Sequence, residues 1–356
     1  AVVVGVAAVA ASAVVAAAVA AAVGARQRRS PFSAEKKTMK FKRIMHSLAV
    51  AAAVAATPAL AVAPAPPAKP AATQQQSHAT AEDAARALAD AVRAHDKEAL
   101  LAVVGPTARS WLASGDAVAD RADWQRFLAA YDRQHRVAPL SDGRALLLVG
   151  DDDWPFPAPL VRQGGRWFFD AEAGREEVLS RRIGRNELDA IQTLLAIVDA
   201  QREYAAGDLD GNGSHDYARR LVSSEGTRDG LFWPVAADQP PSPLGPLVAE
   251  ATREGYRAGA AGSQPRAYHG YRYRILGAQG PAAPGGARSY VVDGRMIGGF
   301  AVLAYPVNHG VSGVMSFIVN HEGVVYQKNL GRNGEAVAAK MQRFNPAAGW
   351  TRVPIE

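Results

Sequence analysis

The segment "AAGDLDGNGSHDY", residues 205–217, has residue types and spacing that suit cation chemistry. Asp208, Asp210, Asn212 and Asp216 occupy positions 1, 3, 5 and 9 of a loop with Gly213 at position 6. An EF-type calcium loop uses oxygens at those positions and closes with a bidentate glutamate at position 12. Here position 12 is Arg219, a cation where the closing carboxylate belongs. The expectation is therefore an acidic turn at a helix end, with weakly bound calcium as the one cofactor that the sequence suggests.

The histidines offer a second kind of chemistry. None shows the i,i+4 spacing of a zinc-protease helix, and neither a Gly-x-Ser-x-Gly elbow nor a phosphate loop is present. His269 in "YHGY" and His321 in "NHEG" fall at strand or turn ends, where they could converge on one cleft. With Tyr268 and Tyr271 they form a candidate ligand groove, to which Trp233 and Tyr305 could add aromatic wall. A hydrolase would use His269 or His321 with a nearby acid. The chain has no cysteine, which removes disulfides, thiolate nucleophiles and cysteine metal sites from consideration.

The elements that would position these groups follow from periodicity. Thr80 precedes an amphipathic run with Leu88 and Val92 on one face, and Asp96 caps a second short helix. Trp124, Phe127, Leu128 and Tyr131 form a stripe at helical spacing that reads as core rather than as a binding face. "GRALLLVG" then reads as a buried strand, and "PLVRQGGRWFFD" as a hairpin turning at Gly164–Gly165. The run Asp151 to Asp153 reads as a solvated loop.

A second half opens with a helix marked by Leu188, Ile191, Leu195 and Val198, ending near Gly207. Four strands are expected after it, at 268–276, 298–306, 314–320 and 323–329, and then a short helix around 335–344. Tyr271, Tyr273 and Ile275 alternate with Arg272 and Arg274, which predicts a strand with one wet face. The reading is α+β, two domains at 80–182 and 183–356, each with helices packed on a curved antiparallel sheet.

Charge and the leader bear on location. The formal charge is +6, yet eight of the 40 Lys/Arg and only one of the 34 acids lie before residue 62. The remainder is close to neutral, and a nucleic-acid surface would need clustered basic residues on the folded part. From Met39 the sequence has the three regions of a secretory signal peptide, with Lys40, Lys42 and Arg43, an apolar stretch at 48–56 and small residues up to 61. This predicts a periplasmic or secreted protein with no stable membrane span after cleavage. Residues 1–38 read as an extension upstream of Met39, or as an uncleaved anchor, and 62–79 as a Pro/Ala/Gln-rich linker.

Seven motifs in order carry a family resemblance: "DDDWPFPAPLV", "RRIGRNELDAI", "DAQREYA", "DGLFWP", "YHGYRYRIL", "MIGGFAVLAYP" and "FIVNHEGVVYQKNLG". Together they resemble a bacterial exported family known as domain of unknown function 2950, over about Thr80 to Trp350. That family has no established activity. The element order of 80–182 resembles the nuclear-transport-factor-2-like fold, and a helix followed by a "DGNG" loop, a "GYRYRI" strand and "GVSGVMSFIVN" makes 183–356 similar to the globular heads of type IV pilins and pseudopilins. These resemblances imply an exported, non-enzymatic cell-envelope protein with a binding or assembly role, its partner an envelope protein, a peptide or a glycan. A periplasmic hydrolase is the alternative.

Overall fold

The computed structural model describes residues 74–354 apart from 142, 237 and 258–265. The extension at 1–38, the signal segment at 39–61 and the linker as far as residue 73 lie outside the described residues.

Three helices open the fold: α1 (Ala81–Arg93), α2 (Lys97–Val104) and α3 (Ala117–Arg133). Each begins at a side chain that accepts orphan backbone N–H groups. Thr80 accepts from the Asp83 amide, Asp96 from Glu98 and Ala99, and Asp116 from Val118 and Ala119. A five-stranded antiparallel sheet follows, with main path β1 (His135–Ser141), β2 (Arg144–Val149), β4 (Leu160–Gln163), β5 (Arg166–Phe169) and the short β3 (Trp154–Pro155) paired to β2. Leu88, Leu101, Val104, Leu147, Leu160 and Phe169 are buried in one apolar cluster between these layers.

Within the linker expected at 62–79, Gln75 is held by the folded layers. Its amide Nε2 donates to the carbonyls of Val104 and Phe169, at 2.9 and 2.8 Å, and His78 forms a β-bridge to Trp167. Composition gave no sign of this, because a single glutamine satisfying buried carbonyls leaves no periodic trace.

Helix α4 runs unbroken from Ala171 to Ala205, 35 residues or about 50 Å. The domain boundary expected between 182 and 183 therefore falls inside one helix, which Asp170 caps at its start. A second buried cluster, from Ala190 to Phe344, forms on the later part of α4. Its sheet has the order β15–β13–β12–β11–β8, where β8 is Tyr271–Leu276, β11 Ala301–Pro306, β12 Ser316–Asn320, β13 Tyr326–Lys328 and β15 Thr351–Arg352. The four expected strands are thus neighbours in an antiparallel meander. Between α4 and β8 lie the short parallel pair β6 (Arg220–Val222) and β7 (Gly230–Phe232), and helix α5 (Gly245–Glu254). Helix α6 (Gly334–Lys340) follows β13, and the short strands β9 (Ala278–Gln279), β10 (Arg288–Ser289) and β14 (Arg343–Phe344) form a separate three-stranded sheet in the order β10–β9–β14.

The wet face expected on β8 is covered. Arg272 pairs with Glu335 of α6, and Arg274 donates to the carbonyls of Ala338 and Met341. Alternation predicted two faces correctly, but a helix some 60 residues later caps the second with its carbonyl end. No helix among the described residues is long and apolar enough to cross a membrane.

Candidate functional site

The acidic loop is tied to its own backbone. The Asp208 carboxylate accepts from the amides of Asn212 (2.8 Å) and Gly213 (2.9 Å), the Asx-type bonding that a short acidic turn favours. The Asn212 side-chain amide donates to Asp210 at 2.8 Å and to Asp216 at 3.3 Å, so an N–H group lies between those carboxylates. Arg219 donates to the Gly294 carbonyl. Just beyond the loop, buried Gln201 of α4 clamps Ala218 with both amide groups, at 2.8 and 2.9 Å. Among the described residues no group of three or more His, Cys, Asp or Glu side chains is placed to hold a metal ion.

The candidate groove at Tyr268, His269, Tyr271 and His321 comes apart in the structure. Tyr268 to Tyr271 is a two-residue turn closed by paired backbone hydrogen bonds, with φ +49° at His269 and +75° at Gly270. Two successive positive φ values define the tight hairpin turns that glycine and a few polar residues tolerate. The strand expected from 268 therefore begins at 271. Tyr271 is fully buried, and its hydroxyl donates to the Met315 carbonyl at 2.9 Å. His321 packs against Tyr290 and Phe300 and contacts Arg288, groups that share no residue with the surroundings of His269. Burial, with the nearby Arg288 charge, holds the His321 imidazole below the ordinary histidine pKa.

His269 is clamped between carboxylates. Its Nδ1 lies 3.1 Å from Asp189 of α4, and its Nε2 3.2 Å from Glu254 at the end of α5. Burial lowers its pKa, but the hydrogen bond and charge of Asp189, with Glu254 and Asp116 nearby, outweigh burial and leave the pKa raised. When protonated, the ring donates from both nitrogens, to Asp189 and to Glu254. Because the folded-state pKa is above the unfolded one, the clamp contributes stability below the usual histidine value and loses it as pH climbs through the raised value. His269→Asn should thus cost roughly 1–3 kcal/mol near pH 5.5 and distinctly less near pH 9, measured by urea unfolding at both.

The same turn is fixed to the N-terminal layers by Asp116, buried at 3% exposure. One carboxylate oxygen caps α3, and the other accepts from the Tyr256 hydroxyl (3.0 Å) and the Gly270 amide (2.9 Å). Sequence reasoning missed this residue, since its partners are 140 and 154 positions away.

The feature best suited to binding lies elsewhere. A pocket of about 400 Å³ opens between the first helices, the sheet and α4. Its floor is aliphatic, made by Leu88, Val92, Leu100 and Val104, all buried. Trp111, Trp124, Phe127, Trp154 and Phe156 add aromatic wall. The stripe expected to be core is therefore divided: Tyr131 is buried at 6% exposure, whereas Trp124 and Phe127 face the pocket. Spacing identifies the apolar face of a helix but not whether the opposing layer closes onto it. From α4, Val178, Arg181, Arg182 and Arg185 line the pocket at i, i+3, i+4 and i+7, one helical face. Three arginines on one face of a helix were the signal available in "RRIGR".

Fold and site together define an α+β protein with an apolar pocket and, apart from it, a histidine set between two carboxylates. The family model described as Protein of unknown function (DUF2950) matches residues 75–353, and the chain belongs to that family. No curated protein and no solved structure matches the chain, so the resemblances to pilin heads and to the nuclear-transport-factor-2-like fold are not confirmed.

Proposed function

We propose that this protein is an exported, non-enzymatic binding protein of the cell envelope that holds a small apolar molecule in the pocket between α1–α3, the first sheet and α4. The signal-like segment at 39–61 supports export. The observation that carries the binding reading is the pocket itself. Its volume of about 400 Å³ lies within the roughly 300–1,000 Å³ of small-molecule sites, and its wall is apolar with a few polar groups. Binding is preferred here to the hydrolase alternative because both ring nitrogens of His269 face carboxylates, Asp189 and Glu254.

Titration with the neutral fluorophore N-phenyl-1-naphthylamine tests this reading. Saturable fluorescence enhancement by the full chain is expected. Val178→Trp, which enlarges a half-buried side chain on the pocket wall, should weaken it about tenfold or more, a change of about 1.4 kcal/mol. Absence of saturable binding, or equal binding by the variant, would count against the pocket.

A further inference from the structure

The pocket wall changes character from floor to rim. Its floor is aliphatic and buried, whereas its charged lining consists of four arginines, Arg126, Arg181, Arg182 and Arg185, against one acid, Asp123. Asp123 is shared by Arg126 and Arg185, the latter at 2.9 Å, so one carboxylate serves two guanidinium groups. Both arginines reach solvent, with side chains 61% and 42% exposed, which places them at the rim. Arg181 stacks over the exposed Trp154 ring, 4.7 Å from its centroid, while its Nε pairs with Glu177. Arg182 lies deeper, donating to the Trp111 and Leu112 carbonyls.

Two buried donors on this wall have no acceptor among the described residues: the indole Nε1 of Trp111, a residue 3% exposed, and Nη1 of Arg181. Buried donors are normally paired, so each marks a place where an acceptor would be strongly favoured. Guanidinium groups suit planar carboxylates and bind them bidentately. An aliphatic floor and a rim with more guanidinium groups than carboxylates are complementary to an acyl chain that ends in an acid.

From this, and resting on the binding role proposed above, we infer that the ligand is a single-chain anionic amphiphile, a medium-chain carboxylate, with its chain on the Leu88–Val104 floor and its head at the arginine rim. The volume sits near the lower end of small-molecule sites, which favours one chain over a two-chain lipid. The occupant is the free monomer rather than a membrane surface.

The test is displacement of N-phenyl-1-naphthylamine from the full chain by decanoate, decan-1-ol and decyltrimethylammonium, each below its aggregation threshold. Decanoate should displace the probe at a concentration about tenfold or more below that of decanol, and the cation should be the weakest. The preference should shrink as salt is raised, because rim charges are screened. Arg185→Gln with Arg126→Gln should weaken displacement by decanoate several-fold more than displacement by decanol, each read against the variant's own affinity for the probe. Equal displacement by decanoate and decanol, or equal weakening of both in the double variant, would overturn the anionic assignment and leave the pocket reading standing. Failure of the neutral probe to bind at all would remove the pocket reading and this inference with it. Co-sedimentation with phosphatidylglycerol vesicles should stay at background, and sedimentation would overturn the choice of a free monomer.

Discussion

Asp116→Ala is expected to lower the free energy of unfolding by roughly 3–5 kcal/mol, read as a fall in the urea midpoint. The carboxylate does three jobs at once. It caps α3 through the amides of Val118 and Ala119, worth about 1 kcal/mol in typical helices. Its other oxygen accepts from the Tyr256 hydroxyl and from the Gly270 amide. Alanine leaves those donors without their acceptor in a buried place, at about 1–3 kcal/mol each. Asp116→Asn should fall between the two, since one oxygen is kept and the other is replaced by a donor. The Tyr256 hydroxyl can rotate to accept from that donor, whereas the Gly270 amide cannot. A loss under 1 kcal/mol for the alanine variant would show that the Asp116 tie is not an important contact between the layers. Ligand affinity of the folded variant should change little, because Asp116 is not part of the pocket wall.

The second large effect is expected at Gly313. A Cβ there would lie 2.1 Å from the Tyr271 hydroxyl oxygen and 2.6 Å from the ring carbon that bears it. Tyr271 has no room to retreat. It is fully buried, packed near Phe317 and pinned by its hydrogen bond to Met315. Neighbouring amides are held too, with Val314 and Met315 both donating to Glu187 of α4 at 2.9 Å. Overpacking of a close-packed core usually costs 1–3 kcal/mol and more when neighbours cannot yield, so Gly313→Ala should cost about 3 kcal/mol. In a Tyr271→Ala background the same substitution should cost little, because the clashing ring is gone. The double-mutant cycle should therefore show a coupling of about 2 kcal/mol or more. Strict additivity would place the cost of Gly313→Ala elsewhere.

What the sequence disclosed has a physical pattern. Helix starts were legible at Thr80 and Asp96 because capping is a local interaction that uses a short list of side chains. The meander was legible because alternation and apolar runs are local as well, and β8, β11, β12 and β13 are sequential antiparallel neighbours. The first turns of α4 were missed because "EAGREEVLSRR" carries few apolar residues. The face it turns inward there holds Val178 and three arginines rather than a run of leucines. Asp116, Glu187 and Asp189 were missed because each acts on residues far along the chain. The candidate groove failed for a related reason: His269 and Tyr271, two apart, stand on opposite sides of a turn residue with positive φ. The acidic loop was placed correctly at the end of α4, but its carboxylates are turned to its own amides.

The most direct test of the binding role uses the six tryptophans as position markers. Their indole N–H signals can be followed by two-dimensional NMR as N-phenyl-1-naphthylamine is added to the full chain. Trp111, Trp124 and Trp154 line the pocket, and their signals should move together with one saturation curve. Trp167, Trp233 and Trp350 do not line it and should stay in place. Shifts centred on Trp233 or Trp350, or no shift at saturating probe, would contradict the account.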